Sequence, residues 1–431
     1  MDVIELLERL PGCREAAERM KKTQEILSLV DAFEALADKH SIEPDQPTPA
    51  KKDPGLAIKD MGGKAETFEK IHSTLLPSIR DQLACLQDSL DLLDPQKNPH
   101  PATDPTLECL SSLDNTLESI LAAIGTLTLE SPLPDEKHDH GLEMLKVFRC
   151  SHLQETIQKV VGSFIYEWIF RDVIPSFIRW CAMANIGFKN DSMSKKGSDL
   201  RQGIQIAMSY PHDQITQTID WCRKSDWAIV QEAWLEASDS CEEALEKFTC
   251  RINRTIQSTS DADLDSQNHA NRVFIVGVAK SAIPLIKLAR ILIKKTSGKI
   301  SKKHLATLGI TTLELNSETM TQLYDAPQPL FGLAYLANIL YLLDSPILPI
   351  TIPAEKQTQL RGIAQKLPTK MESTLAVIES CLIPLLTQIE DQDSPEAHLE
   401  SFLPILRQTW GKASEHLRDI IFSFEVERIA I

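Results

Sequence analysis

Three stretches of the chain carry side chains of the kinds that hold metals or phosphates. His138, Asp139 and His140 stand together, with Asp135 and Glu136 just before them. Imidazoles and carboxylates are zinc-type ligands, but a zinc site needs them at fixed spacing with a supporting shell. This loop offers no further ligand at such a spacing and reads as a solvated acidic turn. Asp261, Asp263 and Asp265 alternate like the first ligands of a calcium loop. An EF-hand then requires Gly at its sixth position and Glu at its twelfth, where the chain has Ser266 and Arg272. Residues 61–64 read Met-Gly-Gly-Lys, yet no hydroxyl residue follows the lysine and no earlier glycine completes a phosphate loop. GxSxG, HExxH, GxGxxG and paired CxxC motifs do not occur. The expectation is a chain that is not an enzyme and carries no metal or cofactor.

The strongest chemical anomaly is a charge distribution. Residues 266–313 contain no Asp or Glu but nine cations: Arg272, Lys280, Lys287, Arg290, Lys294, Lys295, Lys299, Lys302 and Lys303. The chain as a whole carries −16. Lys280, Lys287 and Lys294 recur every seven residues with Arg290 beside them, so on a helix they share one face. Phe274, Ile275, Val278, Ile283, Leu285, Ile286, Leu288, Ile291 and Leu292 cover the other sides. A basic amphipathic helix of this kind, 272–304, can dock an acidic protein partner or lie on anionic lipid. It can equally be a bundle helix whose solvated lysines are answered by acids of the same chain.

The element that would organise the fold is Val160–Ala182, apolar on nearly every side of a helical wheel. Such a helix is either a central core helix or a membrane span. Glu167, Arg171, Asp172, Arg179 and Pro175 argue against the membrane. The expectation is a buried helix spanning 141–186, with Glu167 and Arg171 paired i,i+4 along a narrow polar strip. Five of the six tryptophans fall between 168 and 234, and Trp168 and Trp180 are expected in the N-terminal core. Cys241, Leu245 and Phe248 continue one apolar stripe from Trp227, Val230 and Trp234.

Composition sets the class. With 431 residues, 42% of them hydrophobic, the chain can form more than one sizeable core. Only 16 glycines interrupt it, and its long segments are rich in helix formers. The acidic balance argues against a nucleic-acid binder, which needs clustered cations. Nine scattered cysteines suit reduced thiols in a cytoplasmic or nuclear protein better than a disulfide framework. The start, MDVIELLERLPGCRE, has acids where a secretion signal needs cations and an apolar run.

Along the chain, helical spacing predicts a first segment within 2–40 and a Pro-rich linker at 43–55. A clean helix over 68–93 follows, then another after Asp104-Pro105 as N-cap and N1. Residues 129–142 form an acidic loop and 186–199 a polar one, and further helices run to about 258. The acidic, Ser-rich segment 257–268 is the expected domain boundary. Four helices at about 270–297, 314–344, 355–390 and 396–427 would then close an antiparallel bundle. Ser394 and Pro395 have the types of an N-cap and N1 residue for the last.

Apolar residues flank a proline at LLPSIR, VIPSFIR, AIPLIKL, LIPLLTQ and FLPILRQ, the first four prolines being 98, 109 and 100 residues apart. This spacing is that of a duplicated helical unit with kinked helices. Prolines tolerated near helix starts or at kinks would give it as well.

Two stretches, TLLPSIRDQLACLQDSLDLLDP (74–95) and TIDWCRKSDWAIVQEAWLEASDSCEEALEKF (218–248), resemble a large family of uncharacterised helical proteins of rust fungi, which implies no particular activity. The C-terminal layout is similar to that of the Grap2 and cyclin-D-interacting protein family. In that layout a basic helix, here VFIVGVAKSAIPLIKLARILIKK (273–295), precedes a helix with a Pro interruption, here TMTQLYDAPQPLFGLAYLANIL (319–340). A closing helix begins near an apolar-Pro-apolar motif, here SFLPILRQTWGKASEHLRDII (401–421). That resemblance implies a helical bundle, cyclin or transcription-factor partners and a nuclear or cytoplasmic location.

The expectation from the chain is all-α: two packed antiparallel bundles, 1–256 and 269–431, joined by a short acidic linker. Its expected role is a non-catalytic, adaptor-like intracellular protein without a transmembrane span. Its contact surface would be Lys280, Lys287, Arg290, Lys294 and Lys295 with the basic tail Lys299, Lys302 and Lys303. An acidic protein partner is the first reading and peripheral binding to anionic lipid the second.

Overall fold

The computed structural model describes residues 13–39, 52–90, 92, 101–186, 191–258, 266–297, 315–343, 353–384 and 395–423. The fold is all-α. A two-residue parallel ladder, β1 (Lys52–Asp53) with β2 (Leu133–Pro134), is the sole sheet among the described residues. The chain divides into two compact units, Met1–Lys224 and Ser225–Ile431.

The first unit contains α1 (Arg14–Lys39), then α2, which runs Lys64–Lys70, through a π turn at Ile71–Leu75, to Leu76–Ser89. Next come α3 (Thr103–Thr128), α4 and α5 (Asp191–Cys222). Helix α4 joins Val147–Gln158, a π-helical run Lys159–Val173, and Ile174–Ile186. Around the unit, α2 packs on α3, α3 on α4, α4 on α5 and α5 back on α2, while α1 lies against α3 and α4.

The apolar wheel of α4 is explained by this placement, because neighbours cover it on several sides. Ile165, Ile169, Phe170, Ile174, Phe177 and Ile178 are buried, and Phe33 of α1 meets Phe170 edge-on at 5.3 Å. The polar strip is used differently from the expected pairing of Glu167 with Arg171. Arg171 reaches Asp38 at 2.7 Å and Arg179 pairs with Glu34, both on α1. An aligned acidic face on a neighbouring helix outcompetes a local i,i+4 partner. The helix also starts at Val147, not near Gly141, because His140–Leu145 forms a separate 3₁₀ turn with Glu143 at φ 47°.

The second unit contains α6 (Asp226–Ser258), α7 (Ser266–Ser297), α8 (Ser317–Asp325), α9 (Phe331–Leu343), α10 and α11 (Pro395–Ser423). Helix α10 runs Ala354–Val377 into a π turn at Ile378–Leu382. Here α7 packs on α9, α9 on α10, α10 on α11 and α11 back on α7, with α6 against α7, α8 and α9. Each unit therefore contains a ring of four helices in the same chain order plus one preceding helix, which covers a different side of the ring in each. Prolines recur at matching places: Pro77 and Pro284 in the first ring helix, Pro175 and Pro384 in the third, Pro211 and Pro404 in the fourth. Pro77, Pro175 and Pro384 each sit two residues beyond a π segment. A proline in a helix removes one hydrogen bond and crowds the carbonyl four residues back, and a widened turn relieves both.

Several expectations are corrected. The boundary lies at 224/225, not at 257–268, because α6 buries Trp227, Val230, Trp234, Ala237, Cys241 and Phe248 within the second unit. The polar segment after it connects two helices of one unit, and polarity marks a connection whether or not a domain ends there. The tryptophans consequently divide between cores: Trp180 and Trp221 are buried in the first unit, Trp227 and Trp234 in the second. Residues 191–199, expected as loop, begin α5, where Gly197 lets the Trp180 indole lie against its bare Cα. The helix expected over 314–344 is broken at Ala326 and Pro327 into α8 and α9. Helix α3 starts at Thr103, after Ala102, so Asp104 lies in the first turn rather than at the cap.

Candidate functional site

Helix α7 presents its basic face as the spacing predicts. Phe274, Ile275, Val278, Ala279, Ala282, Leu285, Ile286, Ala289, Leu292 and Ile293 are buried, while Lys280, Lys287 and Lys294 are exposed. These three lysines form no ion pair with any described residue. Between them, and on the same face, Pro284 and Ile291 are also exposed, Ile291 contrary to its expected place on the apolar sides, and Val273 extends the line toward the helix start. From Lys280 to Lys294 the face thus alternates lysine with apolar side chains in steps of four and three.

Arg290 and Lys295 are engaged by neighbouring helices. Arg290 Nη2 lies 3.2 Å from Glu242 Oε1 of α6, so one charge of the basic stretch is answered from within the unit. Lys295 Nζ stands over the Phe402 ring of α11 at 5.1 Å from its centroid. Gly277 lies against Ile420 of the same helix. As numbers rise on α7 they fall on α11, so the two run antiparallel, and by this register Ile291 is level with the buried Leu406, next to the exposed Ile405. Lys299, Lys302 and Lys303 lie outside the described residues. Sequence periodicity found the lysine face but did not separate the three free lysines from Arg290 and Lys295, since that depends on which neighbours flank α7.

The ends of the helices around this face are held by cations as well. Arg251 of α6 donates to the Leu340 and Tyr341 carbonyls at the end of α9, at 3.3 and 3.1 Å. Arg407 of α11 bridges Glu372 and Glu379, residues of α10 and its π turn, at 2.9 and 3.1 Å. These contacts brace the ring on which α7 is displayed.

The stretches around His138 and Lys64 make structural contacts. His138 Nδ1 lies 2.9 Å from Asp135 Oδ1, whereas Asp139 is buried and accepts the Val147 N–H at 2.9 Å at the start of α4. The cluster is split, and no group of three metal-type ligands occurs among the described residues. In Met-Gly-Gly-Lys, Gly62 takes φ 58° and Gly63 precedes the first residue of α2. Lys64 is buried and donates to the Leu127, Glu130 and Pro132 carbonyls at 3.3, 2.6 and 2.9 Å, and burial pulls its pKa down. Asp261, Asp263 and Asp265 lie outside the described residues.

The described residues also line a cleft and a crevice. A cleft of about 190 Å³ is lined by Ile58, Ala65, Phe68, Glu69 and residues 142–145, and its carboxylates come from Glu69 and Glu143. The crevice beside Trp227 and Trp234 is about 10 Å³, room for about one water. Trp227 Nε1 there has no hydrogen-bond partner among the described residues, while Trp234 Nε1 donates to the Leu323 carbonyl at 3.0 Å. Among the described residues, no helix is long and apolar enough to cross a membrane.

Comparison with known proteins divides the chain at the same place. Residues 64–223 match a domain of unknown function (DUF8723), and residues 225–419 match another (DUF8721). No curated protein and no solved structure matches the chain.

Proposed function

We propose that this is a non-catalytic, adaptor-like interaction protein, acting in the cytoplasm or nucleus, whose α7 face binds an acidic protein partner. One observation carries the reading: Lys280, Lys287 and Lys294 are aligned, exposed and unpaired among the described residues, although acidic α6 is adjacent. An acidic helix with an apolar stripe complements this surface, its carboxylates meeting the lysines and its stripe covering Pro284, Ile291 and Ile405. The likeness in layout to the Grap2 and cyclin-D-interacting protein family adds cyclin or transcription-factor partners as the class to test.

The test compares wild type with a Lys280→Glu, Lys287→Glu, Lys294→Glu variant in affinity capture, followed by titration of the purified partner. Arg290 is left in place, because replacing it would unpair Glu242. Circular dichroism checks that the variant folds. The variant is expected to bind at least about tenfold more weakly, or ~1.4 kcal/mol, with wild-type affinity falling as salt rises. Equal capture by both proteins would sink the proposal. Flotation with anionic but not neutral vesicles, lost in the variant, would favour the lipid reading instead.

A further inference from the structure

Two thiols face each other across the contact between α2 and α3. Cys85 Sγ and Cys109 Sγ are 2.6 Å apart, and the helices are pinned on both sides of them. On one side Gln82 Nε2 donates to Ser112 Oγ at 2.8 Å and to Thr116 Oγ1 at 3.0 Å. On the other, Thr106 Oγ1 donates to Ser89 Oγ at 3.0 Å. The thiols are thus held in register within an antiparallel helix pair. Cys85 is exposed and Cys109 partly so, and small oxidants can reach them.

We propose that Cys85 and Cys109 are a redox modification site, forming a reversible disulfide that staples α2 to α3 when the protein meets hydrogen peroxide. The more exposed Cys85 reacts first. Its thiolate sulfur attacks one peroxide oxygen, the O–O bond breaks, and the departing hydroxide leaves as water after taking a proton. Cys85 is then a sulfenic acid. The Cys109 sulfur attacks the Cys85 sulfur, the S–S bond forms, and the S–O bond breaks. Hydroxide leaves with the Cys109 proton as a second water. Two thiols supply the two electrons that reduce the peroxide, and a dithiol reductant reverses the step. Burial, then the neighbouring Cys85 thiol, push Cys109 up to about 11, which keeps it a thiol and disfavours it as the first to meet peroxide. The bond would close a span of 24 residues, constraining the unfolded chain and raising the stability of the first unit.

The test uses the full-length reduced chain treated with hydrogen peroxide, beside Cys85→Ser and Cys109→Ser variants. Wild type is expected to lose two hydrogens in mass and to yield a cross-linked peptide containing both cysteines. Both changes should reverse with dithiothreitol, and the oxidised protein should unfold at a higher temperature. Cys109→Ser should instead leave a sulfenic acid at Cys85 that dimedone traps. Oxidised wild type in which both thiols remain open to alkylation, or in which Cys85 is joined to another cysteine, would overturn the proposal. Because the wild-type peptide map decides alone, a variant that failed to fold would not remove the test.

Discussion

A methyl group added at Gly197 would overlap the Trp180 indole, and Trp180 is buried with little room to move. Gly197→Ala is therefore expected to destabilise the first unit by about 1–3 kcal/mol, the usual range for overpacking, as read from urea unfolding. The buried cysteines set a second expectation. Burial pushes Cys150 and Cys222 up to about 12 from an ordinary 9.0. Both stay neutral in the folded state while the unfolded chain ionises, so their contribution is full below pH 9.0 and lost as pH climbs toward about 12. Urea midpoints of the first unit should fall above that lower value, and the fall should be shallower in a Cys150→Ala, Cys222→Ala variant. The same burial should shield both thiols from alkylation of the native protein, in contrast to Cys85 and Cys250, which are exposed.

Within the helices, proline has two different settings. Pro175 is buried and follows the π run of α4, whereas Pro404 is exposed inside the unbroken α11. An exposed interior proline costs a helix about 3 kcal/mol relative to alanine, offset by about 0.4–1 kcal/mol from the unfolded chain it restricts. Pro404→Ala should accordingly raise the thermal midpoint of the second unit. Pro175→Ala should give its unit a smaller gain or a loss, since it also empties space in a packed core. A larger gain at Pro175 would contradict the view that its π run is held by tertiary packing.

For the whole molecule, the division at 224/225 predicts how the chain can be cut. Residues 1–224 and 225–431 expressed apart should each unfold cooperatively in urea, with helical circular dichroism. Residues 259–431, which begin near the boundary expected from composition, should not, because removing α6 exposes the faces of α7 and α9 that it covers. Cooperative unfolding of 259–431 would show that α6 is dispensable and restore the earlier boundary. The recurring ring of four helices is also visible only at this scale. The proline spacing pointed to a repeated unit, but the shared packing order identifies which helices correspond.

Much of the local architecture follows from the sequence by itself. The three-to-four spacing of Phe68 to Leu90, Leu107 to Ile124 and Leu399 to Ile420 specifies helices, since a buried stripe can be formed no other way at that period. The all-round apolar Val160–Ala182 likewise specifies a helix covered on several sides. The lysine face of α7 was legible for the same reason. Tertiary structure alone decided which unit receives a helix, because an apolar stripe does not name its partner: α6 could have closed either core. It also decided that Arg171 pairs with Asp38, that Lys64 holds three carbonyls, that Arg290 meets Glu242, and that Cys85 stands beside Cys109. Each of these joins residues far apart in sequence, and their meeting is set by the packing of whole helices rather than by anything local to either residue.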